Sequence, residues 1–282
     1  MARNYYYFVS GLPDLIVDES KNVVAFNAFM EEAMEELDDK DFEVLRALRL
    51  PVDNANLISA LVSQKKEFDP RGNYSKEEIN SALRSPENLD DYMQVFLKSY
   101  KEKKQLFGDL TPADQLNWLF YEEMLTHESE YVREWFIFDL NLRNILSAIN
   151  CRKGLGHIEA LGNGRDGALK STIIGKNEIT EAILRSSASD FGLSSALPWI
   201  ERLLSSSKGE LVTFEKEIDQ LKWDMAEELV GLSYFGIETI AAFTIRLMIV
   251  ERWMKLDVKT GRLKLDSLVE KLKNSFTVPA GF

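Results

Sequence analysis

Cysteine is almost missing from this chain. Cys151 stands alone among 282 residues, so no internal disulfide can form, and a reducing compartment fits best. Proline is scarce at seven and glycine modest at fifteen, which leaves room for long uninterrupted helices. Cationic charge is also short. Lys and Arg number 34 against 46 Asp and Glu, and the net charge of −12 argues against nucleic acid as a partner, because phosphate contacts need basic surface. No apolar run is long enough to cross a bilayer. The most apolar stretch, Ile237 to Val250, carries Glu238 and Arg246. Met1-Ala2-Arg3-Asn4 followed by three tyrosines is no signal peptide. These absences point to a cytoplasmic protein with no membrane span of its own.

What is present is helical periodicity. From Trp118 to Ile149 the positions Trp118, Tyr121, Leu125, Glu128, Val132, Trp135, Asp139, Leu142, Leu146 and Ile149 alternate between spacings of three and four. All but Glu128 and Asp139 are apolar or aromatic, which predicts one helix with an inward seam. Such a spine would be about 48 Å long. Thr111-Pro112-Ala113-Asp114 supplies its start, and Asn150 with Gly154 its stop. With 45% hydrophobic residues the chain can fill a sizeable core.

Several further helices follow from the same logic. An acidic one begins near Asn27, with Phe26, Phe29, Met30, Ala33 and Leu37 inward. Asp41 to Leu50 is another, ended by Pro51, and Asp53 to Leu61 starts a separate short one. Asp69 to Asn73 is a turn, and Ser75-Lys76-Glu77-Glu78 is a capping box. Leu89 to Phe107, Asn177 to Ser187, Leu197 to Ser205 and Leu263 to Leu272 read as helices. The stripe Phe214, Ile218, Leu221, Met225, Leu229 and Leu232 precedes a break at Gly236, then a buried helix to Leu256. The opening Tyr5 to Val9 fits a short helix or an extended segment, with several tyrosines buried. Residues 150–177 hold six glycines and a mild basic excess, and read as a mobile loop with room for a short helix near His157 to Leu161. No strand alternation or βαβ rhythm occurs, so the fold class is all-α. Asn56-Leu57 and Asn141-Leu142 open similar apolar runs, a faint internal echo.

Catalytic chemistry finds little support. Gly162-Asn163-Gly164-Arg165-Asp166-Gly167 matches G-x-G-x-x-G, but the dinucleotide fold needs a strand before it, and here a long helix and Gly156 to Leu161 lie upstream, so it reads as a flexible loop. His127 lies among carboxylates, yet Tyr131 stands where the zinc-protease string needs its second histidine. Its surroundings read as a solvated acidic face, and no metal or other cofactor is expected. Cys151 lacks an identifiable base. Nucleophile, base and oxyanion donors nowhere assemble, so the chain is not expected to be an enzyme.

The second half resembles a known family. Phe214 to Asp219, through Tyr234-Phe235-Gly236-Ile237-Glu238-Thr239-Ile240-Ala241-Ala242-Phe243, is similar to the C-terminal repeat of the C-type (eukaryotic d-type) subunit of V-type and archaeal-type ATPases. That family has a helix leading to a Phe-Gly-x-Glu turn and a buried helix ending in charges, here Arg246, Glu251 and Arg252. Glu134 through Asn141-Leu142-Arg143-Asn144-Ile145-Leu146 resembles its Glu…Asn-Leu-Arg-x-Ile-Leu helix, and Tyr5 to Pro13 resembles an uncharacterised bacterial family encoded beside V-type ATPase subunits. The resemblance implies a long-helix bundle of two to three repeats: a degenerate one over 1–110, then the spine and a region like the C-type subunit over 111–282, all in one unit. It further implies a non-catalytic central-stalk subunit or accessory protein, peripheral to the membrane, whose partners are the central shaft and the membrane rotor ring. Its motif positions here are Glu134, Asn141, Leu142, Arg143, Phe235, Gly236, Glu238, Arg246 and Glu251. Arg152, Lys153, Arg165 and Lys170, in the basic stretch, are candidate partner contacts. The alternative is a cytosolic helical adaptor or regulator on the same scaffold.

Overall fold

A computed structural model describes residues 3–16, 24–62, 67–108, 110–154 and 169–255. The Gly162 to Gly167 string, Arg165 and the expected helix over Leu263 to Leu272 lie outside the described residues. The described residues are all-helical and contain no strand. The helices are α1 (Tyr6–Gly11), α2 (Phe26–Glu36), α3 (Asp39–Leu61), α4 (Lys76–Ala82), α5 (Asp91–Lys101), α6 (Pro112–Met124), α7 (Glu130–Arg152), α8 (Glu178–Arg185), α9 (Ile200–Ser206), α10 (Leu211–Glu228) and α11 (Ile237–Lys255). A short 3-10 turn, Pro86–Asn88, precedes α5.

The long helices pack on one another. α3 touches α6, α7 and α11, while α10 lies against α7 and α11. One hydrophobic cluster runs from Tyr5 and Phe8, through Leu45, Leu57, Phe120 and Phe136, to Phe243 and Ile249. Ala241, Ala242 and Thr244 are buried with Ile240 and Phe243, so α11 is enclosed on most sides, as its near-continuous apolar sequence requires.

Several expectations are corrected. The spine is two helices, not one. The chain breaks between Met124 and Glu130 although no proline or glycine stands there. Polar side chains claim the backbone instead: Ser129 caps α7 by accepting from the Val132 N–H, His127 Nδ1 accepts from the Ser129 N–H, and Thr126 donates to the Glu123 carbonyl. Local bonds of this kind compete with the helical ladder. Conversely, Pro51 does not end a helix, since α3 runs through it for 23 residues. Burial of Leu45, Leu48 and Leu50 before it and Leu57 after it offsets the one backbone bond it removes. α5 stops at Lys101 rather than reaching Phe107. At the N-terminus only Tyr5 of the three tyrosines is buried, and Leu232 leaves its stripe to stand exposed.

A pattern recurs in α3 and α7, which have 23 residues each. Asn56 donates to the Asp69 carbonyl (2.8 Å) and accepts from its N–H (3.0 Å). Asn144 does the same to Ile174, at 2.8 and 3.1 Å. One helical turn earlier, Asp53 accepts from the Asn73 and Tyr74 N–H groups, and Asn141 accepts from the Asn177 side chain. Each clasped segment then enters a helix through a capping box, Ser75 with Glu78 or Asn177 with Thr180. The faint sequence echo thus has the wrong register: Asn56 corresponds to Asn144, not Asn141.

Candidate interface and the charged frame behind it

The motif positions at the α10–α11 corner meet the N-terminus. The Tyr5 N–H donates to the Phe235 carbonyl at 2.7 Å, and the Tyr6 and Phe235 rings lie 4.7 Å apart. Glu238 folds back to accept from the Ser233 hydroxyl, and Thr239 donates to the Ser233 carbonyl. A Cβ on Gly236 would press on the Ser233 hydroxyl and the Glu238 carboxylate, so the side chains that close this turn would have to shift. Around this turn apolar side chains face solvent: Tyr7 is 96% exposed, Leu232 87%, Tyr234 66% and Tyr6 54%. These exposed rings and aliphatics lie close together in sequence at the turn and at the N-terminal helix that packs on it.

Carboxylates rim this corner. A hollow of about 550 Å³ is lined by Leu232, Leu229 and Val230 together with Glu130, Glu134, Glu228 and Glu238. A second hollow of about 630 Å³ shares Glu130, Tyr131 and Glu238 and extends past Asp41, Glu43, Glu123 and Glu128. Arg3, Lys40 and His127 are the basic-type side chains lining it. The two make one acidic groove. Burial lowers the His127 pKa, which favours its neutral form. No group of three or more His, Cys, Asp or Glu able to hold a metal ion occurs among the described residues.

Behind the corner lies a frame of paired charges. Lys222 of α10 reaches Asp139 of α7 at 3.0 Å, and Tyr121 of α6 donates to the same carboxylate at 2.7 Å. Burial alone would raise the Asp139 carboxyl, but Lys222 and Tyr121 outweigh it and hold the pKa below the ordinary range. Asp139 in turn raises the Lys222 pKa. Asp219 accepts from Arg252 (2.5 Å) and from the Trp253 indole (2.6 Å), tying α10 to α11. Arg246 pairs with Glu227 at 2.6 Å and lies over the Trp223 ring. Glu251 accepts from the Phe26 N–H at 2.8 Å and faces Arg71, joining the end of α11 to the start of α2 and to the α3–α4 loop.

The remaining candidate residues are dispersed. Arg143 pairs with Asp114 and donates to the Thr172 carbonyl (3.2 Å), while Leu142 is core. Arg152 donates to the Ser186 carbonyl (2.8 Å) and lies 3.8 Å over the Phe191 ring. Lys153 donates to the Ser207 carbonyl. Both thus hold the segment after α8 and the end of α9, whereas Lys170 is exposed. Cys151 is buried beside Thr172. Sequence reasoning misses the Asp139–Lys222 pair, although Asp139 is one of two charged exceptions in the apolar seam. It misses the exposed corner because periodicity assigns tyrosine and leucine inward.

A family model described as a protein of unknown function, DUF2764, matches residues 1–276. The chain belongs to the DUF2764 family. No curated protein and no solved structure matches it. The match to DUF2764 covers the N-terminal tyrosines and the Phe235-Gly236-x-Glu238 turn alike, the two segments that pack together at the corner.

Proposed function

We propose that this DUF2764 chain is a non-catalytic coupling part of a V-type rotary ATPase, either a central-stalk subunit linking the shaft to the membrane rotor ring or an accessory protein on that scaffold. The observation that carries the reading is the corner where Tyr6, Tyr7, Leu232 and Tyr234 stand exposed beside an acidic groove, backed by cross-braced helices. A part that transmits force needs a stiff body and a contact surface, and the ion pairs joining α7, α10 and α11 supply the bracing. The carboxylates favour a partner with basic residues, and such complementarity assists docking. The protein would then be cytoplasmic and peripheral to the membrane through the assembly. No helix among the described residues is long and apolar enough to cross a membrane.

The second reading is a cytosolic adaptor or regulator whose basic partner lies elsewhere, and the acidic groove suits it equally well. Mixing the purified chain with isolated shaft subunits and with rotor rings separates the two. Binding that weakens with salt and with Leu232→Ser supports the coupling part, whereas no binding at low salt to either component overturns it.

A further inference from the structure

A different face of the molecule carries basic charge. Leu61 of α3, Leu83 after α4, Phe96 of α5, Leu110 ahead of α6 and Pro112 at its first position wall a hollow of about 570 Å³, the size range of small-molecule sites. Its mouth bears Lys101, Lys103 and Lys104, and no carboxylate lines it among the described residues. In a chain of net charge −12, Lys101, Lys103 and Lys104 line this opening against the single Glu102 that stands among them in sequence, a local inversion of charge. None of the three forms an ion pair with a described residue. Lys101 donates to the Arg84 carbonyl, a neutral partner that leaves its charge uncompensated.

The backbone here is specialised as well. α5 ends in a Schellman motif: the Lys104 N–H donates to the Ser99 carbonyl and the Lys103 N–H to the Tyr100 carbonyl. Lys103 occupies the left-handed position of that motif, at φ 54°, where glycine is usual. The Ser99 hydroxyl donates to the Lys104 carbonyl, and Gln115 accepts from the Leu106 N–H and donates to the Leu110 carbonyl, pinning the loop over the hollow. A lysine held in a conformation unfavourable for it, at the rim of an apolar hollow, is explained if its charge is used.

We infer that this hollow binds a single-chain amphiphilic anion, an acyl carboxylate, with its chain against Leu61, Leu83 and Tyr100 and its head among Lys101, Lys103 and Lys104. The inference is independent of the proposed rotary role, since the hollow shares no lining residue with the acidic groove. The test uses laurate below its micellar concentration, titrated into the full chain and read by calorimetry. Dodecanol and dodecyltrimethylammonium serve as neutral and cationic controls of equal chain length. Saturable laurate binding is expected, with about tenfold loss for Lys103→Glu and more for the double change with Lys104→Glu. The cationic control is expected not to bind. Lys103→Gly is the discriminating variant: relief of backbone strain is expected to raise Tm while laurate affinity falls. Equal binding of laurate and dodecyltrimethylammonium, laurate affinity unchanged in the double variant, or no saturable binding overturns the assignment.

Discussion

Asp53 shows what one buried side chain does in this molecule. Its carboxylate is fully enclosed, accepts from the Asn73 and Tyr74 N–H groups and the Asn73 side chain, and leaves Gly72 no room for a Cβ. Burial pushes its pKa from the ordinary 3.8 up to about 6, against the pull of those donors. The folded chain therefore holds this proton more tightly than the unfolded chain. Sign follows: the stability that Asp53 contributes is greatest at the ordinary value and below, declines as pH rises toward 6, and levels off above it. Chemical denaturation of wild type and Asp53→Asn across that window is expected to show the difference declining with pH, and a constant difference would refute the assignment. Polarity within an apolar helical stretch is the visible signal at Asp53, Asn56 and Asn144. What sequence alone does not supply is the distant loop each one holds.

Helix faces are legible because burial follows the 3.6-residue period: Phe26, Phe29, Met30 and Ala33 lie inward as expected. Helix ends are less so. Pro51 reads as a stop, yet tertiary burial on both sides carries α3 through it. The break before α7 reads as continuous helix, because its cause is a set of side-chain bonds from Thr126, His127 and Ser129 rather than a strong breaker. Asn144→Ala removes both bonds to Ile174 in a fully buried setting and is expected to cost about 2–4 kcal/mol in urea denaturation. Asn56→Ala breaks the matching pair and is expected to cost a similar amount. A loss below about 1 kcal/mol in both would mean that the clasps do not hold the following helices.

For the whole molecule, the all-α class and the inward faces are readable, while the bracing of α6, α7, α10 and α11 by Asp139, Lys222, Asp219 and Arg252 is not. Ion pairs between residues distant in the chain leave no local pattern. Asp139 and Lys222 retain 18% and 32% of their side-chain exposure, so water screens the pair in part. Asp139→Leu alone strands the Lys222 charge and is expected to cost about 2–3 kcal/mol, less than for a fully enclosed pair. Adding Lys222→Met is expected to recover most of that loss, whereas additive losses would mean the two side chains do not act as a pair. Under the proposed coupling role, the corner of Tyr6, Tyr7, Leu232 and Tyr234 is where the braced helices would meet a partner. Gentle, low-salt isolation of the V-type ATPase from cells carrying this chain, followed by quantitative protein mass spectrometry, tests that claim most directly. The chain is expected in fixed ratio to the shaft subunits and depleted from the complex when Tyr6 and Leu232 are both changed to serine. An intact complex that lacks the wild-type chain would rule out the coupling role.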